Sequence, residues 1–240
     1  MVDVIVERPH VEIISPPMIF KYNKMMVEIC ARNCYKSEEG RLFKHSDRFL
    51  KSVIQTRGHV SVADHAHITV RFFIDRACSH QLVRHRIAAY SQESQRYCNY
   101  GKNNALRVVG EPDIFNEGDD LKQLWIEKRR EDYEEYLLYL KRGVKPEAAR
   151  TCLPNATKTE ICSTFDLTEW RHIFKIRALS SAAQWQIRAV MQRTLIYFDT
   201  LLPAFFSDQM RQLRESKDGL AVFDRADLKK FPWEQHGIEW

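Results

Sequence analysis

Within Gln81–Tyr97 (QLVRHRIAAYSQESQRY), Arg84, His85 and Arg86 stand side by side, and after seven residues Ser94, Gln95 and Arg96 follow. Three potential cations in a row repel one another and are costly to bury, so a fold gains by grouping them only where something anionic sits among them. A phosphate suits the pattern. Arginine forks match phosphate and carboxylate oxygens in pairs, and a serine hydroxyl with a nearby backbone N–H completes a cradle. The plainer reading is a solvated basic turn, or one held by local hydrogen bonds. The surroundings favour a pocket, because the triplet follows the apolar run His67 to Ile74 and precedes Ile87-Ala88-Ala89-Tyr90, too apolar for an exposed tip. Gln81 and Arg84, three apart on one expected helix, can converge on a single ligand.

Two distant arginines have a similar setting. Arg150 follows Ala148-Ala149, and Arg177 stands among Ile173, Phe174 and Ile176, so each is expected to face inward and to need an anionic partner. That partner is a ligand or an internal carboxylate. The histidines offer a rival chemistry: His59, His65 and His67, with Asp64 between, form an H-x5-H-x-H run of the kind that holds a metal in a hydrolase. No further cluster with metal-ligand spacing follows downstream. A third reading, a nucleic-acid-binding module, would use Arg71, Arg76, Arg84 and Arg86 with Tyr90 and Tyr97 as stacking faces. Its apolar interleaving suits a closed pocket better than an open groove.

Arg84-His85-Arg86, seven residues, then Ser94 resembles the RHR-x7-S signature of the flavin-dependent thymidylate synthases, as does the extended stretch from Gln81 to Arg96. Arg57-Gly58-His59, His65, Ala149-Arg150, Leu153-Pro154 and the Trp170–Arg177 helix extend the resemblance over roughly residues 25 to 210. It implies an α+β fold, a mostly antiparallel sheet with helices packed against it, in one domain spanning residues 1–240. It also implies reductive methylation of dUMP to dTMP, with FAD as bound hydride carrier, NADPH as reductant and methylenetetrahydrofolate as one-carbon donor, in a homotetramer. The nucleotide contacts carried over are Gln81, Arg84, Gln92, Ser94, Gln95, Arg96, Arg150 and Arg177. Arg177 is the catalytic one, placed on the uracil ring where it favours loss of the N3 proton. The FAD contacts carried over are Ser61, Arg84, His85, Arg86, Gln92 and His172, and no metal is implied. This chain departs from the family in having Asp166-Leu167-Thr168 where many members carry Asn-x-Arg, Gln92 where some have glutamate, and Asp64 in place of a glutamate. No cysteine follows a proline, the context of the nucleophile in folate-only thymidylate synthases.

With 240 residues, 37 basic against 32 acidic and a net charge of +5, the chain is long enough for a sizeable core and mildly basic, which suits anionic small molecules more than duplex nucleic acid. Cys30, Cys34, Cys78, Cys98, Cys152 and Cys162 form no CxxC pair and read as reduced core thiols, hence a reducing compartment. With neither a leader pattern nor 18 consecutive apolar residues, the expected location is the cytoplasm, away from the membrane.

The positioning elements follow from periodicity. Val2–Val6 and Val11–Ile14 read as two strands joined by a turn, ended by Pro16-Pro17. Tyr22–Tyr35 is an expected helix burying Met25, Met26, Ile29, Cys30 and Cys34, and Ser46–Thr56 another burying Phe49, Leu50 and Ile54, stopped by Gly58. Ile68–Ile74 is an expected central strand, with Asp75 capping the helix that leads to the triplet. Asn99–Gly118, rich in glycine and asparagine, reads as a surface loop. Asp119–Arg142 reads as a charged surface helix with i,i+4 pairs, its apolar face formed by Leu121, Leu124, Trp125, Tyr136, Leu137 and Leu140. A short helix from Pro146 to Arg150, a strand over Lys158–Asp166, a helix capped by Thr168 and a long helical region over Ala182–Leu213 bent at Pro203 complete the chain.

Overall fold

The computed structural model describes residues 2–39, 42–44, 46–103 and 105–216, so the last stretch of the expected 1–240 domain lies outside the described residues. In chain order the elements are β1 (Asp3–Glu7), β2 (His10–Ile13), α1 (Pro17–Tyr35), α2 (Ser46–Lys51), β3 (His67–Asp75), α3 (Arg76–Leu82), β4 (Ala89–Gln92) and β5 (Ala105–Val109). Then come α4 (Pro112–Asn116), α5 (Asp119–Lys141), α6 (Pro146–Ala149), β6 (Lys158–Asp166), α7 (Leu167–Ile173), α8 (Trp185–Leu201) and α9 (Pro203–Glu215). A four-stranded sheet has the order β2-β3-β6-β4, while β1 and β5 form a separate parallel pair. The class is the expected α+β, with an antiparallel sheet and packed helices. The chain gathers into two compact units, one of Met1–His10, Phe73–Arg84 and Ser91–Ile161, the other of Val11–Phe72, His85–Tyr90 and the chain from Cys162 onward. Among the described residues no helix is long and apolar enough to cross a membrane.

In the first unit, β1 finds its partner a hundred residues away, with Val4 opposite Leu106 and Val6 opposite Val108. The two N-terminal strands therefore belong to different sheets, although the sequence presents them as neighbours across one turn. The expected Asn99–Gly118 loop contains β5, whose Leu106 and Val108 are wholly buried beside Tyr133, Tyr136 and Ala149. Glycine and asparagine on either side hide a five-residue strand that this packing and its pairing with β1 hold in place. Asn104 lies outside the described residues. Gly110 ends the strand where a Cβ would come within 2.6 Å of the Phe115 ring and 2.9 Å of Val6. Helix α5 buries only Tyr133 and Tyr136, and Leu121 and Leu124 of the expected apolar face are exposed, the first half of the helix meeting the cluster through Trp125. Its charge pairs are i,i+3 (Glu127–Arg130, Lys128–Glu131, Arg129–Asp132) rather than i,i+4.

In the second unit, α1 starts at Pro17, where a missing N–H costs nothing, and so begins before the expected Tyr22. Its buried face is Phe20, Asn23, Val27, Glu28, Ala31 and Arg32, not the expected stripe, and Ile29 and Cys34 are exposed. A stripe drawn from apolar residues alone leaves out Glu28 and Arg32, which are buried as an ion pair. Helix α2 passes into a π-helical turn over Ser52–Thr56, and Gly58 then takes φ +71°, the left-handed conformation glycine adopts freely. Leu50, Val53 and Ile54 are buried there, while Phe49 is only half-buried, with the Arg32 guanidinium 4.1 Å above its ring. Trp170 is the hub of the aromatic core, 4.7 Å from Phe165, 4.9 Å from Phe198 and 5.5 Å from Phe174, and its indole N–H donates to the Ile68 carbonyl at 3.2 Å. The break between α8 and α9 falls at Leu202–Pro203, as the proline requires. All six cysteines are free, but Cys34 and Cys98 are exposed and only Cys78 is fully buried.

Candidate active site

Helix α3 starts as expected at Asp75, whose carboxylate accepts the Cys78 N–H at 2.6 Å. It ends at Leu82, so Arg84 lies beyond the helix and does not share a helical face with Gln81. The turn that follows alternates: Arg84 is exposed, His85 is 6% exposed, and Arg86 is exposed again. Among the described residues neither exposed guanidinium makes an ion pair. The Tyr90 hydroxyl donates to the His85 carbonyl at 2.6 Å and pins the turn. Burial, followed by the nearby Glu169 carboxylate, raises that phenol well above its ordinary range.

The inward histidine resolves the expected repulsion. Burial first, then the charges of Arg177 and His172, lower the His85 pKa from 6.5 to about 4, so at neutral pH it carries no charge. Its Nε2 accepts the Arg177 Nε–H at 3.3 Å, and its Nδ1 lies 3.5 Å from Glu169 Oε1. Arg177 is half-buried on a second π-helical turn, Phe174–Ala178, closed by the Leu179 N–H on the Phe174 carbonyl at 3.0 Å. Such turns are rare and frequent at functional sites, and the added residue explains why Ile176 is 37% exposed while Ile173 is buried. His172 is exposed, its ring 6.4 Å from that of His85, and Ser61 is exposed on the 3₁₀ turn Val60–His65. Glu169 escaped the sequence reading. The available signal was Glu169-x-x-His172 near the start of a helix, a spacing that sets both side chains on one face. Its helix is capped by Asp166, which accepts the Glu169 N–H at 2.6 Å, and not by Thr168, whose hydroxyl donates instead to the Val60 carbonyl at 2.8 Å.

In the other unit, Ser94 Oγ accepts the Arg96 N–H at 3.3 Å, and the Ser94 carbonyl accepts from Cys98 at 2.8 Å. This is the locally bonded turn, and the N–H groups of Arg96, Tyr97 and Cys98 already have partners in it. Arg96 Nε pairs with the Glu147 carboxylate at 3.3 Å, and Arg150 Nε donates to the Glu147 carbonyl at 3.2 Å. The short α6 helix thus brings two of the expected nucleotide arginines together around one residue. Neither is enclosed: Arg96 is exposed, and Arg150 is half-buried rather than turned into the core. The Gln92 amide nitrogen donates to Ser79 Oγ at 2.9 Å and to Thr159 Oγ1 at 3.3 Å, so only its oxygen remains open to a ligand. Gln81 and Gln95 are half-buried.

His59, His65 and His67 do not gather. His59 meets the Tyr35 hydroxyl instead. Among the described residues the His, Asp, Glu and Cys side chains that approach metal-ligand spacing are His85, Glu169 and His172, within 4.8 Å of one another. There the Arg177 N–H occupies the His85 Nε2 lone pair, and its positive charge opposes a cation.

Residues 19–204 match the family described as thymidylate synthase complementing protein. The chain is 37% identical over 189 residues to a flavin-dependent thymidylate synthase of Geobacter sulfurreducens, covering 76% of this chain and 80% of the relative. It is 34% identical over 203 residues to that of Mycobacterium avium, covering 76% and 78%. With the Pyrococcus abyssi enzyme it shares 40% identity over 141 residues, 58% of this chain, and spans 57% of that relative's length. In fold it is similar to a UMP/dUMP methylase, PolB from Streptomyces cacaoi, bound with 5-Br dUMP (TM-score 0.70, 19% identity, 88% of this chain and 97% of that one). With residues 19–204 matching the family and three quarters of the chain matched to relatives at 34–37% identity, the chain belongs to the thymidylate synthase complementing protein family, that of the flavin-dependent thymidylate synthases.

Proposed function

We propose that this chain is a flavin-dependent thymidylate synthase, converting dUMP to dTMP with methylenetetrahydrofolate as one-carbon donor, NADPH as reductant and FAD as bound cofactor. The observation that carries this reading is the triplet: two exposed guanidiniums, Arg84 and Arg86, flank a buried, uncharged His85 that is hydrogen-bonded to Arg177. Exposed arginines with no internal carboxylate suit anionic ligands, and the donors Arg86, Ser61 and His172 suit the phosphates and ring edge of FAD. FAD, when bound, supplies hydride chemistry that no side chain offers.

The residues themselves bind, orient and place charge. Arg177 is assigned to the uracil ring, where its guanidinium stabilises the negative charge that develops as N3 loses its proton. Gln81, Arg84, Ser94, Gln95, Arg96 and Arg150 are assigned to the nucleotide, and the Gln92 amide oxygen accepts a hydrogen bond from substrate or cofactor. A ligand phosphate on Arg96 would displace the Glu147 carboxylate, an exchange between two exposed anions. No thiol is assigned as nucleophile. The exposed Ile87 and Tyr97 suit burial by further copies of the chain, here a homotetramer, and six free thiols suit the reducing cytoplasm. The reading is tested on purified protein by the visible flavin spectrum, after added FAD if needed, and by dTMP formation from dUMP, methylenetetrahydrofolate and NADPH. Failure to bind flavin, or no dTMP from flavin-loaded protein, overturns it.

A further inference from the structure

Both ring nitrogens of His85 are engaged, and the two partners constrain where its proton sits. Arginine Nε only donates and stays protonated in proteins, so the Nε2 that lies 3.3 Å from Arg177 Nε carries a lone pair. A neutral imidazole with a bare Nε2 is protonated at Nδ1, and Nδ1 faces Glu169 Oε1 at 3.5 Å, with the two side chains 5% and 13% exposed. That separation is long for a hydrogen bond, so the carboxylate acts chiefly as a negative charge facing the Nδ1–H dipole. The opposite tautomer would set N–H against N–H at Arg177 and a lone pair against the carboxylate.

Glu169 and Arg177 lie on one continuous helical segment, α7 and the π-helical turn, with His85 from another part of the chain inserted between them. We infer that Glu169 is a positioning residue for Arg177, acting through His85: it holds the Nδ1–H tautomer, whose bare Nε2 fixes Arg177 Nε and leaves the two outer nitrogens of the guanidinium for the ligand. This rests on the assignment of Arg177 to the uracil ring. An arginine tethered at Nε presents a planar two-point face in one orientation, where a free one would sample several. Glu169 touches no reacting atom. Its effect is geometric.

The experiment uses full-length protein labelled with 15N-histidine, the His85 signals being assigned by their loss in His85→Asn. Free histidine in water favours the Nε2–H tautomer, so a protonated Nδ1 with a bare Nε2 in the wild type is the expected and discriminating result. Glu169→Met, similar in length but without an acceptor, should bring in the Nε2–H form and lower dTMP formation by about 10²-fold, the scale of a displaced positioning group. Glu169→Gln removes the charge but can still turn an oxygen dipole towards Nδ1–H, so it should shift the tautomer and lower turnover less than Glu169→Met. In an Arg177→Lys background, Glu169→Met should add little further loss, because the two act in series. A wild-type His85 found as Nε2–H overturns the inference whether or not any variant folds. So does a folded Glu169→Met that retains Nδ1–H, or one that changes tautomer at unchanged turnover. The tautomer reading needs no substrate, so a wild type that makes no dTMP yet switches tautomer on Glu169→Met would refute the proposed function while supporting the tether.

Discussion

Glu28 and Arg32 lie one turn apart on α1 and pair through Oε1 and Nε at 2.8 Å, their side chains 0% and 5% exposed. Glu28 Oε1 also accepts the Phe43 N–H at 3.1 Å, and Arg32 reaches the Ser37 and Lys44 carbonyls, so the pair fastens the segment after α1 to the helix. Removing one partner leaves an uncompensated buried charge. Glu28→Ala or Arg32→Ala should each destabilise by about 3–5 kcal/mol in urea unfolding, and Glu28→Met with Arg32→Met together by clearly less than the sum.

Acid should act on His85 before most carboxylates. Its folded-state pKa is about 4 against an ordinary 6.5, so between these values the unfolded chain binds a proton that the fold refuses, and stability falls as pH drops from about 6.5 towards 4. Its full extent is on the order of 3 kcal/mol. Glu169, raised chiefly by burial, has the opposite sign and offsets part of the loss nearer its own range. Thermal melts of wild type and His85→Asn across pH 4–7 should show a steeper acid loss in wild type.

Arg177→Lys retains charge but loses both the Nε donor to His85 and the planar two-point face. The expected outcome is near-normal flavin reduction by NADPH and product formation slower by about 10²-fold or more, the size of one preorganised electrostatic contact. Stopped-flow measurement of the two half-reactions decides it. An equal loss in both would place Arg177 in a purely structural role.

Serine replacements at the free cysteines should leave turnover within about tenfold. Cys34→Ser and Cys98→Ser, at exposed sites, should leave stability unchanged, whereas Cys78→Ser, at a site 1% exposed, should lose about 1–3 kcal/mol through a buried hydroxyl. Burial raises the Cys152 thiol, which argues against a thiolate there. Loss of dTMP formation in any well-folded variant would instead assign a covalent step to that cysteine.

Asp166, which the sequence resemblance sets where many members of the family carry asparagine, caps α7 in this chain. Asp166→Asn preserves the cap and should keep stability within about 0.5 kcal/mol, while Asp166→Ala should lose about 1 kcal/mol. Unfolding curves test the cap, and FAD titration of Asp166→Asn shows whether the family's usual residue tightens the cofactor.

Much of the frame was legible because local rules settle it. Period-two burial marks β3 and β6, Asp75 announces α3, Pro203 breaks the last helices, and the spacing from Arg84 to Ser94 marks the family. What escaped depended on partners distant in the chain. Strand β5 exists because Leu106 and Val108 meet β1 and Tyr133, contacts that a local window of glycine and asparagine cannot reveal. The buried face of α1 was misassigned because the expected stripe was drawn from apolar residues alone, whereas Glu28 and Arg32 go inside as a pair. The triplet shows the division most clearly. Sequence determined that two arginines and a histidine stand in a row, but a histidine's proton depends on what surrounds its ring. Only the tertiary structure, by burying His85 between Glu169 and Arg177, decided that it is neutral and that the charges beside it face outward.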